Sequence, residues 1–155
     1  MTEKSEQSIV IAAEPAAVMA VIADFDRYPQ WASSLTRTEV LELGADGRAR
    51  RVAFRLESSV VNDVYELVYD WRGDHRVMWH QVRGETIKAQ DGSYTLVARP
   101  DGGTHVTYSL SVELAMPMLG ALKRKAERVV MDTALKELKK YVESRPSDDS
   151  RGEER

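Results

Sequence analysis

Cysteine is absent from the 155-residue chain. That one absence removes disulfides, thiolate nucleophiles, cysteine-based zinc sites and iron–sulfur clusters together. No apolar run approaches the roughly 20 residues that a membrane-spanning helix requires. An excess of positive charge is also missing: 22 Lys and Arg against 25 Asp and Glu leave a formal charge of -3. That is the wrong sign for a nucleic-acid binder driven by phosphate neutralisation. Histidine occurs three times, as His75, His80 and His105, and neither H-x-H nor H-E-x-x-H spacing is present. A metal site would therefore need long-range convergence, and none is expected. The G-x-S-x-G elbow of a hydrolase is lacking, and Gly102-Gly103 is followed by a strand pattern rather than the helix a phosphate loop needs. The opening residues 1–6 are polar and mixed in charge, unlike a signal peptide. Together these absences predict a cytoplasmic, single-domain protein spanning 7–145, with flexible tails at 1–6 and 146–155 and no cofactor.

What is present is a clear pattern. Hydrophobic residues make up 43% and charged residues 30%, close to soluble averages and enough for a core. Ser8 to Ala12 is too short an apolar run for a helix and reads as a strand. Glu14-Pro15 opens a helix that carries Val18, Val21 and Ile22 at helical spacing. Pro29 is expected to push Tyr28 out of helical angles, which divides this region into two short helices. From Leu35 the period switches to two. Alternating stretches at 36–43, 48–58, 60–71, 76–83, 87–99 and 105–114 are separated by Gly-rich turn signals. Asp91-Gly92 inside the fifth of these reads as a bulge or a turn. After Pro117 the period returns to that of a helix, with Leu122, Ala126, Val129, Val130, Ala134, Leu138 and Val142 as its apolar stripe. Its many basic residues read as a solvated face.

This order, one strand, two short helices, a six-strand meander and a long amphipathic helix, predicts an α+β fold. A curved antiparallel sheet of about seven strands needs one face covered, and only the C-terminal helix is long enough to cover it. Four stretches then bring in a resemblance: Ala13-Glu14-Pro15-Ala16-Ala17-Val18, Asp24-Phe25-Asp26-Arg27-Tyr28-Pro29-Gln30-Trp31, Trp79 through Gly84 with Asp91-Gly92-Ser93-Tyr94, and Gly103-Thr104-His105-Val106-Thr107-Tyr108. They resemble the START-like superfamily, also called SRPBCC or helix-grip. More narrowly they resemble its bacterial polyketide cyclase/dehydrase members, which are related to coenzyme-Q-binding START proteins. The resemblance implies a helix-grip fold around a cavity.

Candidate site residues follow from inward parity. Trp31, Phe54, Tyr65, Tyr69, Trp71, Trp79, Tyr94 and Tyr108 are expected to wall the cavity, with Met116, Met118 and Leu122 at its rim. Asp63 interrupts an apolar parity; it is the one weak catalytic candidate, or else a solvated carboxylate at a strand end. The expected function is binding of a hydrophobic small molecule, such as a lipid, an isoprenoid quinone or a polyketide, with no nucleic acid and no transmembrane segment. Transient membrane contact and a monomer or homodimer fit equally. The alternative, which the resemblance implies, is a polyketide aromatase/cyclase or dehydratase working in the same cavity. The entrance is expected at Met116–Leu119 and Tyr28–Trp31, with Trp31 as an apolar lid.

Overall fold

The computed structural model describes residues 4–59, 61–115 and 120–145, the last segment with side chains from Lys123 onward. Strand β1 (Ser5–Ile11) leads into helix α1 (Pro15–Ala23), a 3-10 turn (Phe25–Arg27) and helix α2 (Tyr28–Trp31). Six strands follow: β2 (Leu35–Leu43), β3 (Ala49–Glu57), β4 (Asn62–Arg72), β5 (Arg76–Arg83), β6 (Ile87–Ala98) and β7 (Thr104–Leu114). Helix α3 (Gly120–Ser144) ends the fold. The strands form one seven-stranded antiparallel sheet in the order β1-β7-β6-β5-β4-β3-β2. This is the antiparallel sheet under a closing helix that the alternation predicts, and the helix-grip fold that the resemblance implies.

Three local readings need correction. Strand β1 begins at Ser5, so it takes in residues assigned to the tail. Its polar residues pair with α3: Ser5 Oγ donates to Glu127 Oε1 at 3.0 Å, and Gln7 Nε2 donates to the carbonyl of Arg128 at 3.1 Å. Tyr28 is helical, at φ -51° and ψ -43°, despite preceding a proline. The chain breaks earlier, at Asp24 (φ -91°, ψ 75°), which leaves Pro29 free to sit in the first turn of α2, where it suits the helix. Asp91-Gly92 is neither turn nor bulge, because β6 runs through it without a break in its pairing to β5 and β7. Gly92 has another purpose. It faces Trp79 in the ladder, and a Cβ there would meet the indole at 2.3 Å.

Helix α3 is clamped by its C-terminal half. Met131, Leu135, Leu138 and Val142 are buried in the core with Ile11, Val18, Ile22 and Phe25. Polar contacts pin the same half at three places: Ala12 N donates to Glu143, Ser33 N donates to Glu137, and Lys139 donates to the carbonyl of Val10. The buried stripe runs through Glu127, Met131, Leu135 and Leu138, rather than through Val129, which is 54% exposed. No helix among the described residues is long and apolar enough to cross a membrane.

Candidate functional site

Between the N-terminal half of α3 and the concave face of the sheet lies a cavity of about 310 Å³, within the lower range for ligand pockets. Its walls come from alternate residues of β3 to β7, as a period of two requires. Of the sequence-predicted residues, Trp31, Phe54, Tyr65, Tyr69, Trp79, Tyr94 and Tyr108 all line it. The aromatics brace one another: Trp79 lies 5.4 Å from Tyr94 and 5.8 Å from Tyr69 between ring centroids, and Tyr94 stacks on Tyr108 at 4.7 Å.

Trp71 does not belong to this set. It shares the inward parity but sits beyond the cavity, where its indole N–H donates to the carbonyl of Ala49 at 2.8 Å and Arg48 covers its ring. Phe25 and Tyr69 fill the space between, which makes Trp71 a seal on the core behind the 3-10 turn. Met116 and Met118, and the entrance expected at 116–119, lie outside the described residues, as does the side chain of Leu122. Trp31 is not an exposed lid. It is buried between Tyr28 and Tyr141, stacked on the latter at 6.0 Å, while still facing the cavity.

Asp63 is neither solvated nor on the cavity wall. It is buried, and its carboxylate accepts backbone N–H bonds from Val64, Glu85 and Ile87, the last at 2.8 Å. Both oxygens are occupied in holding the β5–β6 turn, a structural role that leaves no lone pair aimed at a substrate. The nearby polar strip has the same origin: Gln90 donates to Gln81 at 3.1 Å, and Gln81 donates to the carbonyl of Ile87 at 2.7 Å.

Burial sets the electrostatics. It pushes the Tyr108 hydroxyl up to about 12, and it raises Tyr28, Tyr65, Tyr69 and Tyr94 further, with neighbouring tyrosines adding to the effect. At Tyr65 the Asp63 carboxylate adds to the rise, and Gln90 pulls the other way. All five therefore stay neutral and keep their O–H protons at physiological pH. Tyr28 spends its proton on the carbonyl of Ile22. No described residue hydrogen-bonds the hydroxyls of Tyr69, Tyr94 or Tyr108, so these remain available as neutral donors to a ligand. No group of three or more His, Cys, Asp or Glu among the described residues is placed to hold a metal ion.

The polar wall on α3 escaped the sequence reading. Glu127, 7% exposed, lines the cavity beside Lys123, Ala126 and Val130. Its signal was its spacing: Glu127 stands four residues before Met131 and eight before Leu135, on the inward stripe. The lining residues Val129 and Thr133 of α3 and Ser59 of the β3–β4 hairpin are solvent-exposed, so the cavity reaches the surface at each of them.

A family model described as "Polyketide cyclase / dehydrase and lipid transport" matches residues 2–143. The chain belongs to that family. Its fold is that of the START-like superfamily. A START superfamily protein from Mycobacterium smegmatis superposes with a TM-score of 0.85 at 20% identity, over 91% of this chain and 97% of that one. The Zhui aromatase/cyclase from Streptomyces sp. R1128 gives 0.79 at 13% identity, over 96% and 98%. A protein from Thermus thermophilus gives 0.78 at 19% identity, over 94% and 100%. No curated protein matches the sequence.

Proposed function

We propose that this family member binds a hydrophobic small molecule in the cavity under α3. The observation that carries the reading is the aromatic wall of Tyr69, Trp79, Tyr94 and Tyr108, which bounds a volume of ligand size instead of packing against the helix. An apolar enclosure with a few hydroxyls recognises a greasy or flat molecule by area and orients it by its polar atoms. The "lipid transport" in the family description is consistent with such a role.

The test is uptake. Native mass spectrometry after mild purification, and displacement of a fluorescent hydrophobic probe, should both register a bound small molecule. In a variant with Trp71 and Trp79 replaced by Phe, the same ligand should change the emission of Trp31. A protein that takes up no hydrophobic probe would sink the proposal.

A second reading, aromatase/cyclase or dehydratase action in the same cavity, is favoured by one feature. The unpartnered hydroxyls of Tyr69, Tyr94 and Tyr108 are neutral donors in a water-poor space, where they can polarise a carbonyl while the walls fold a reactive chain. Conversion of an added poly-β-carbonyl chain faster than its spontaneous rate, reduced in Tyr108→Phe, would favour this reading. A rate unchanged by the protein would leave binding alone.

A further inference from the structure

Among the described residues, two buried side-chain atoms have no hydrogen-bond partner: Trp31 Nε1 and Glu127 Oε2. Both belong to residues that line the same cavity. One is a donor and the other an acceptor, and they lie toward opposite ends of it. Trp31 stacks on Tyr141, and Ser33, two residues further on, donates to Glu137. Glu127 precedes Glu137 by ten residues, about 15 Å along the helix axis. Buried polar atoms in folded proteins are nearly always paired. Two orphans of opposite polarity in one ligand-sized space therefore mark where a ligand's polar atoms go.

The neighbours of Glu127 specify the head group. Ser5 donates to Oε1 at 3.0 Å, which fixes the carboxylate and leaves Oε2 buried at the cavity wall without a hydrogen bond. Lys123 Nζ stands 3.8 Å from Oε2, close enough to attract but too far for a hydrogen bond. A hydroxyl bridging the pair from the cavity side would donate to Oε2 and accept from the ammonium. A carboxylate head would meet the like charge of Glu127, and an ammonium head would meet that of Lys123.

Resting on the ligand-binding reading above, we infer that the ligand is an elongated apolar molecule with a hydroxyl held by Glu127 and Lys123. A hydrogen-bond acceptor at its other end, such as a carbonyl, takes the indole N–H of Trp31. The apolar body lies along the tyrosine wall between them.

The experiment compares two medium-chain probes on the full chain by calorimetry or probe displacement: a methyl ω-hydroxydodecanoate and its O-methyl ether. The two have nearly the same length and apolar area, but only the first can donate to Glu127. The hydroxy ester should bind about tenfold tighter, the scale of one hydrogen bond to a charged group. Glu127→Met should bring the two affinities together, because neither probe then has a carboxylate to donate to. Glu127→Gln, which keeps a side-chain acceptor, should retain most of the preference. Trp31→Phe should weaken both probes alike, since both carry the ester carbonyl. Equal affinities in the unaltered protein would overturn the inference without any variant having to fold. A preference that survives Glu127→Met would overturn it too. If neither probe, nor any other hydrophobic probe, binds the unaltered protein, the ligand-binding reading itself fails.

Discussion

Gly92 gives the strictest test of how the aromatic wall is built. A Cβ placed on it would lie 2.3 Å from Trp79 Cε2 and Cζ2 and 2.6 Å from Nε1, far inside the ordinary carbon–carbon separation of about 3.5–4.0 Å. Tyr69, Tyr94 and Tyr108 hold the indole from the sides at centroid distances of 5.8, 5.4 and 6.0 Å, so it can retreat only by tilting into the cavity. Gly92→Ala must therefore shift the strand or force a poor rotamer, an overpacking cost of about 1–3 kcal/mol. For a chain of this length each kcal/mol lowers Tm by about 2–4 °C, so the expected fall is roughly 2–12 °C. Intrinsic propensity works in the opposite direction, since Ala in a strand is favoured over Gly by about 0.5–1 kcal/mol. The sign of the change thus separates the two effects. Thermal and urea unfolding of the wild type, Gly92→Ala, Trp79→Phe and the double variant form a cycle. The smaller phenyl ring should relieve the clash and give a coupling of about 1 kcal/mol or more. A neutral or stabilising Gly92→Ala, or a cost that persists in Trp79→Phe, would refute the reasoning.

Other expectations follow from the same contacts. Asp63→Ala leaves the Glu85 and Ile87 amides without their acceptor and should cost about 2–3 kcal/mol in urea unfolding, while affinity of the folded protein for a hydrophobic probe stays the same. The buried tyrosines set an alkaline limit. Their folded values are raised above the unfolded value near 10, so the unfolded chain releases protons first as pH rises. Stability should hold below pH 10 and fall between there and about 12, with Tyr108 alone removing roughly 2–3 kcal/mol. A urea midpoint that stays flat across that window would contradict it. Trp31→Ala removes both a buried stack on Tyr141 and a cavity wall, so it should cost about 3–5 kcal/mol of stability and also weaken probe binding. Full affinity in the folded variant would confine Trp31 to stapling α2 onto α3.

The fold was legible because its two signals are local. Strand parity in residues 104–114, with Val106, Tyr108 and Leu110 inward, is written in a period of two, and the closing helix is written in one of 3.6. Most cavity residues were legible for the same reason, since parity alone places Tyr65, Tyr69, Tyr94 and Tyr108 on the concave face. Trp71 shows the limit. Parity says which face a residue points to, not what covers that part of the face, and Phe25 covers Trp71 by a contact across 46 positions of sequence. Asp63 shows a second limit: its partners, the amides of Glu85 and Ile87, carry no side-chain signature at all. Glu127 was hidden by composition. Surrounded by Lys123, Arg124, Lys125 and Arg128, it reads as one more charge on a solvated face, although its spacing places it on the buried stripe.

The cavity persists because the two halves of α3 meet different surfaces. The C-terminal half closes on Ile11, Val18, Ile22 and Phe25, stacks Tyr141 on Trp31, and is tied down by Glu137, Lys139 and Glu143. The N-terminal half faces a wall of large rings that brace each other side to side, from Tyr69 through Trp79 to Tyr94 and Tyr108. For the helix to descend there, the rings would have to tilt toward it. Each ring's neighbours oppose that, and Gly92 seats Trp79 back into the sheet rather than letting it project. A straight helix anchored at one end over a curved, aromatic-lined sheet cannot fill the space at its other end. The residues it presents across the gap, Glu127 and Lys123, are polar, and an empty apolar contact would have had no use for them. The same geometry leaves room beneath α3 and sets the Glu127–Lys123 pair on its wall.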